Sequence, residues 1–150
     1  MGSKQLQYQV ASMRDTLFKQ GYLDEQFVQL EELQDDDNPN FVEEIVKSYF
    51  QDSVRSITNI DKAMESYPFD FEKLDRYMHQ FKGSSSSIGA SKIKDDCTLF
   101  RDYCGQGNVD GCKKTFQQLK REHATLRKKL ETYFQMARQA GPAETACRPK

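Results

Sequence analysis

Phe71-Glu72-Lys73-Leu74-Asp75-Arg76-Tyr77-Met78-His79-Gln80-Phe81-Lys82-Gly83-Ser84-Ser85-Ser86-Ser87-Ile88 is the stretch that decides how this chain is built. Its stripe reads Phe71, Leu74, Met78, Phe81, Ser85, Ile88, spaced 3, 4, 3, 4 and 3 residues apart. That spacing lines one face of an α-helix, whereas a strand would repeat every second residue. Asp70 stands at the N-cap position, with Phe69 and Leu74 placed as a hydrophobic staple. Read alone, Gly83-Ser84-Ser85-Ser86-Ser87 is a flexible linker. The register of Phe81, Ser85 and Ile88 runs through it unbroken, so the spacing predicts helix there too.

The same period extends in both directions. Leu6, Val10, Met13 and Leu17 predict a first helix stopped at Gly21. A short second helix starts near Asp24 and carries Phe27, Leu30 and Leu33. The polar run Gln34 to Asn40 is a loop. Either Asn38 caps the next helix with Pro39 at its first position, or Asn40 caps it with Glu43 three residues on. That third helix carries Phe41, Ile45, Tyr49, Val54, Ile57, Ile60, Met64 and Tyr67 until Pro68 ends it. After the turn at Gly89 and Ser91, Ile93, Cys97, Phe100 and Cys104 mark a fifth helix ending at Gly105-Gln106-Gly107. Asn108 caps the last, whose stripe is Val109, Cys112, Phe116, Leu119, His123, Leu126, Leu130, Tyr133 and Ala137. Short turns between long helices imply antiparallel neighbours. The expected fold is all-α: an up-down antiparallel four-helix bundle with two additional N-terminal helices. Residues 1–140 form its single domain, and Gly141-Pro142 opens a flexible tail over 141–150.

Composition narrows the function. The 150 residues are 37% hydrophobic and 30% charged, yet include ten Phe and seven Tyr, which a disordered chain of this charge would lack. Lys plus Arg number 22 and Asp plus Glu 23, a net charge of -1 that disfavours general binding to nucleic acid or anionic membrane. No apolar run approaches the roughly 18 residues of a transmembrane helix. The N-terminal residues lack the apolar core of a signal peptide. Four Cys without a C-x-x-C pair, and two His, argue against a zinc site and against a disulfide frame.

The two histidines fall in different environments. His123 lies in the apolar stripe of the last helix and reads as a core histidine. His79 lies just off its stripe, on a ridge of Glu72, Asp75, Arg76, Lys82, Gly83 and Ser86. Position alone makes it an ordinary solvated histidine. Its neighbours point further. Lys82, one turn along, can place an ammonium near an anion on the ring. Gly83 removes the side chain that would crowd it, at a cost of about 1 kcal/mol of helix stability relative to Ala. Close approach of another surface is a reason to bear that cost.

The run His79-Gln80-Phe81-Lys82-Gly83-Ser84-Ser85-Ser86-Ser87-Ile88-Gly89-Ala90 closely resembles the signature of plant histidine-containing phosphotransfer proteins. Gly21-Tyr22-Leu23-Asp24-Glu25-Gln26-Phe27 and Leu33-Gln34-Asp35 look like the same family, and the likeness spans about Leu17 to Arg138. Some of its members carry Gln or Asn at the acceptor position; this chain keeps His79. The resemblance implies that His79 takes a phosphoryl group from one aspartyl phosphate and passes it to another aspartate. Its partners would be the receiver domain of a hybrid sensor kinase upstream and response regulators downstream, in a cytokinin pathway spanning cytoplasm and nucleus.

Such chemistry asks little of the carrier. Phosphoryl transfer is mostly positioning and charge stabilisation, and an imidazole with an ordinary pKa of about 6.5 is largely neutral and nucleophilic near pH 7. His79, Lys82 and Gly83 supply the ring, the cation and the room. Gln80 can offer an amide at the partner interface. One further group follows from arithmetic: with the turn centred at Ala90, residues 79 and 101 each lie 11 positions away and meet at one height of the hairpin. Arg101 is therefore expected to flank the site, or else to pair as a surface arginine with Asp102 or Asp75.

No P-loop and no kinase glycine loop or catalytic-loop motif is present, so the chain is expected to be a carrier, not an enzyme with kinase activity of its own. No cofactor is expected, and Asp35-Asp36-Asp37 reads as a solvated linker, not a metal site. Any Mg²⁺ is expected on the partner receiver domain. A monomer without nucleic-acid or membrane partners is expected. Phe18, Tyr22 and Phe27 are candidates for a partner patch, against the commoner fate of core packing. Two other classes compete: a helical adaptor that docks receivers without carrying phosphate, and a hydrolase or metal enzyme using His79, His123 and the cysteines. The stripes put the two histidines on opposite sides of their helices, which argues against the last.

Overall fold

A computed structural model describes residues 2–141, with the side chains of residues 4–141. Six helices follow one another: α1 (Gly2–Lys19), α2 (Glu25–Leu33), α3 (Phe41–Met64), α4 (Phe71–Ser87), α5 (Ser91–Gln106) and α6 (Val109–Ala140). The described residues contain no strand, only isolated bridges such as Leu23 with Ala90. Helices α3 to α6 form the four-helix bundle: α4 packs on α5, α5 on α6, and α3 on α4 and α6. At 1.5 Å per residue, the 32 residues of α6 reach about 48 Å, and α1 lies along it as an added helix. The stretch 142–150, expected as a tail, lies outside the described residues, as does Cys147.

The starts of α2, α4 and α6 are capped by side chains. The carboxylate of Asp24 accepts from the Gln26 amide, that of Asp70 from Lys73, and the Asn108 side chain from Gly111. Gly107 ends α5 in the left-handed region at φ 65°, where its amide closes onto the Cys104 and Tyr103 carbonyls.

The α4–α5 turn is stitched to the α1–α2 loop. Asp24 N donates to Gly89 O at 3.0 Å and Ser91 N to Tyr22 O at 3.1 Å. Gly89 holds φ 76°, and a Cβ there would lie 2.6 Å from the Phe27 amide nitrogen. Glycine thus permits both the turn and the approach of α2.

The core runs down the bundle through Phe27, Leu74, Met78, Phe81, Phe100, Phe116, Leu119 and Leu126. Helix α4 continues through the serine run to Ser87. Ser85 faces inward and its hydroxyl meets the Tyr49 hydroxyl at 2.8 Å, while the Ser84 and Ser87 hydroxyls bond back to carbonyls three residues earlier. Two serines of the run that reads as a linker thus bond back within the helix, and a third bonds across to α3.

Several expectations are corrected. Helix α3 stops at Met64, so Tyr67 is not on it and is 96% exposed. Pro68 lacks the N–H a helix would need and drives the residue before it out of helical geometry, so the last turn tightens through Glu65 and Ser66. The buried face of α3 is Val42, Val46, Tyr49, Phe50, Ser53, Ile60 and Ala63; Val54 is exposed, and Phe41, Ile45 and Ile57 are only half-buried. Neither Asn38 nor Asn40 caps α3 with its side chain. Gln34 reaches over from the end of α2, its Oε1 accepting from the Val42 amide at 3.0 Å. Pro39 precedes the helix, and Leu33 is exposed.

Candidate functional site

His79 sits on the solvent side of mid-α4, directly after buried Met78. The facing group comes from α5. Arg101 follows buried Phe100, and its Nη1 lies 3.0 Å from His79 Nδ1. The same guanidinium is anchored to Asp75, one turn before His79, by Nε to Oδ1 at 2.9 Å and Nη2 to Oδ2 at 3.4 Å. Both sequence alternatives for Arg101 are therefore realised together: it pairs with Asp75 and it touches His79. The carboxylate raises the arginine pKa further, so Arg101 is a fixed cation that only donates.

Lys82 lies half-buried one turn beyond His79, and Gln80 is exposed beside it. Gly83 is exposed, and a Cβ built there would meet nothing within 4 Å. Nothing packed against position 83 requires a glycine there. The ridge thus offers an open imidazole, two cations and a clear flank.

Other candidates fall elsewhere. Phe27 is fully buried, so it cannot join a partner patch; it packs edge-on against half-buried Phe18. Tyr22 is half-buried beneath Lys92 and Lys129. His123 is a core residue, its Nε2 2.6 Å from Ser53 Oγ and its ring flanked by Tyr49, Phe50 and Phe81. Burial, helped by the Arg127 charge, lowers its pKa to about 4. An exposed His79 and a buried His123 cannot share a site. Burial raises the Cys97 thiol to about 12, and hydrogen bonding to Cys112 and burial raise Cys104, so neither is a ready thiolate. Among the described residues no group of three or more His, Cys, Asp and Glu is placed to hold a metal ion. No helix among them is long and apolar enough to cross a membrane.

The sequence did not single out the buried acid Asp96. Asp96 is buried between α5 and α6, where its Oδ1 accepts from Gln118 at 3.0 Å, while its Oδ2 and Glu122 Oε1 are buried without a hydrogen-bond partner among the described residues. Burial, then the neighbouring Glu122, raises the Asp96 pKa well above the usual carboxylate range. A buried Asp reads in the sequence as one more charge on a polar helix.

Comparison with known proteins fits this geometry. The family model described as Hpt domain matches residues 44–129, which span most of the bundle and include His79, Lys82, Gly83 and Arg101. Histidine-containing phosphotransfer protein 4 of Arabidopsis thaliana is 71% identical over 116 residues, covering 77% of this chain and 91% of that one. Pseudo histidine-containing phosphotransfer protein 5 of Oryza sativa subsp. japonica is 57% identical over 144 residues, covering 96% and 95%. The crystal structure of a histidine-containing phosphotransfer protein from Medicago truncatula superposes with a TM-score of 0.86 at 38% identity, covering 91% of this chain and 95% of that one. The chain belongs to the Hpt family, the histidine phosphotransfer proteins of two-component signalling. Proteins of this family carry phosphoryl groups and meet receiver domains of kinases and response regulators.

Proposed function

We propose that His79 is a phosphoryl carrier between two aspartates. It accepts from the aspartyl phosphate on the receiver domain of a hybrid sensor kinase and delivers to the receiver aspartate of response regulators, in cytokinin signalling in the cytoplasm and nucleus. The observation that carries this reading is the ridge itself: an exposed imidazole with a cation from each of two helices and an unobstructed Gly83 beside it. A nitrogen lone pair attacks phosphorus while the P–O bond to the aspartate breaks, and the carboxylate leaves. Return transfer reverses these steps. Lys82 offsets the charge of the moving phosphoryl group. Gln80 stands where it can hydrogen-bond the partner's backbone, and Gly83 lets that backbone close. Mg²⁺ belongs to the acidic pocket of the partner receiver, and this chain supplies neither metal nor nucleotide chemistry. It works as a monomer, without nucleic-acid or membrane partners.

A second reading has one observation in its favour: the relative that is 57% identical over nearly the whole length is named a pseudo phosphotransfer protein. In that reading the chain is an adaptor that docks receivers and carries nothing. Mixing with a receiver labelled on its aspartate separates the two. A carrier gains label that acid removes and base does not, and His79→Gln gains none. An adaptor binds the receiver and stays unlabelled.

A further inference from the structure

The hydrogen bond on His79 constrains which atom can react. Arginine has only donors, so at 3.0 Å from Arg101 Nη1 the Nδ1 atom must be the acceptor. A neutral imidazole has one N–H and one lone pair. With the lone pair of Nδ1 facing Arg101, the proton sits on Nε2, the atom at the far end of the side chain. In this arrangement Nε2 has no lone pair, and the lone pair of Nδ1 is engaged. Neither nitrogen can attack phosphorus.

A group able to reverse this already touches the arginine. Asp75 lies four residues before His79, on the same helix face. Its two oxygens bind Arg101 at 2.9 and 3.4 Å, and its side chain is 39% exposed. Once Arg101 withdraws from Nδ1, the carboxylate can accept an Nδ1–H, as an acid orients the histidine of a hydrolytic triad. The proton then sits on Nδ1, and the lone pair appears on Nε2, the outward atom. Attack forms the Nε2–P bond and leaves a positive ring whose Nδ1–H faces the carboxylate. That ring leaves as neutral imidazole in the reverse direction.

We infer that Asp75 and Arg101 are opposed positioning residues for His79: Arg101 on Nδ1 holds the ring in its unreactive tautomer, and Asp75 selects the reactive one when Arg101 moves away. This inference rests on the carrier reading above and assigns its control to a hydrogen-bond exchange. An incoming receiver, with its own acidic pocket, is suited to draw Arg101 off.

Two measurements test it on the intact protein. Nitrogen-15 spectra of His79 above about pH 8 report the tautomer of the neutral ring directly. Arg101→Ala is expected to shift the population toward Nδ1–H, and adding Asp75→Ala to abolish that shift. Phosphoramidate is a small donor that needs no docking; its P–N bond breaks as the Nε2–P bond forms and ammonia leaves. It is expected to label Arg101→Ala roughly five- to tenfold faster than the wild type, the bias one hydrogen bond gives an equilibrium. The double variant is expected to lose the gain. An unchanged tautomer in Arg101→Ala, or labelling no faster than wild type, overturns the inference while a labelled wild type and an unlabelled His79→Gln leave the carrier reading standing. A wild type that neither phosphoramidate nor a receiver can label refutes the carrier reading itself.

Discussion

His123 gives the fold a calculable pH dependence. It is 5% exposed, hydrogen-bonded to Ser53 and walled by three aromatic rings, and burial holds its pKa at about 4. In the unfolded chain an imidazole titrates at about 6.5. Between these values the unfolded state binds a proton that the folded state refuses, so acidification favours unfolding. The stabilisation is complete above about pH 6.5 and is lost progressively as pH falls toward about 4, below which no more is lost. Each pKa unit corresponds to about 1.36 kcal/mol, so from pH 7.5 to 4.5 the loss is roughly 2 to 3 kcal/mol. Carboxylates titrate in the same range, so the wild type needs a reference. His123→Gln keeps a hydrogen-bonding amide near Ser53 and cannot titrate. Urea unfolding of both at pH 7.5 and 4.5 isolates the histidine term. The variant, less stable at pH 7.5, should close on the wild type by roughly 2 to 3 kcal/mol at pH 4.5. Stability curves that stay parallel across the range would refute the reasoning, because the imidazole would then titrate alike folded and unfolded.

Three further outcomes follow from particular contacts. Asp96→Asn removes an acid whose raised pKa favours the fold at low pH and loses that advantage as pH rises, so the variant should gain in thermal midpoint relative to wild type at pH 8.5 more than at pH 5.5. Gly83→Leu meets open space in a helix and should stabilise the fold by about 0.8 kcal/mol in urea unfolding, yet slow phosphoryl transfer from a receiver at least tenfold; equal rates would show that no partner approaches Gly83. Gly89→Ala puts a Cβ 2.6 Å from the Phe27 amide at a positive φ, and should cost about 2 kcal/mol or more, read as a lower urea midpoint.

The helices were legible where burial coincides with apolar side chains. Helix α4 shows this through Ser85: a small polar residue holds the stripe because the flanking Phe81 and Ile88 fix its phase. The meeting of His79 and Arg101 was likewise readable, since an antiparallel hairpin with a short turn equates heights on its two arms. Helix α3 was misread for the converse reason. Ser53 is buried to meet His123 and Val54 points to solvent, so apolarity marks the wrong side of one turn. Its start was misread because the capping group, Gln34, lies eight residues from the amide it serves and beyond any local capping motif. Asp75 illustrates a further limit. Sequence places it on the ridge of His79 and offers it as a partner for Arg101, but that one guanidinium holds both Asp75 and His79 emerges only from the structure.

Everything proposed for this ridge turns on whether His79 carries phosphate. The most direct measurement mixes the purified chain with a receiver domain phosphorylated on its aspartate, with Mg²⁺ present, and follows phosphorus-31 resonances over time. A carrier shows a phosphohistidine signal growing as the aspartyl phosphate falls, absent in His79→Gln, and lost when an unphosphorylated second receiver is added. Binding of the receiver with no phosphohistidine signal would contradict the account and make the chain an adaptor.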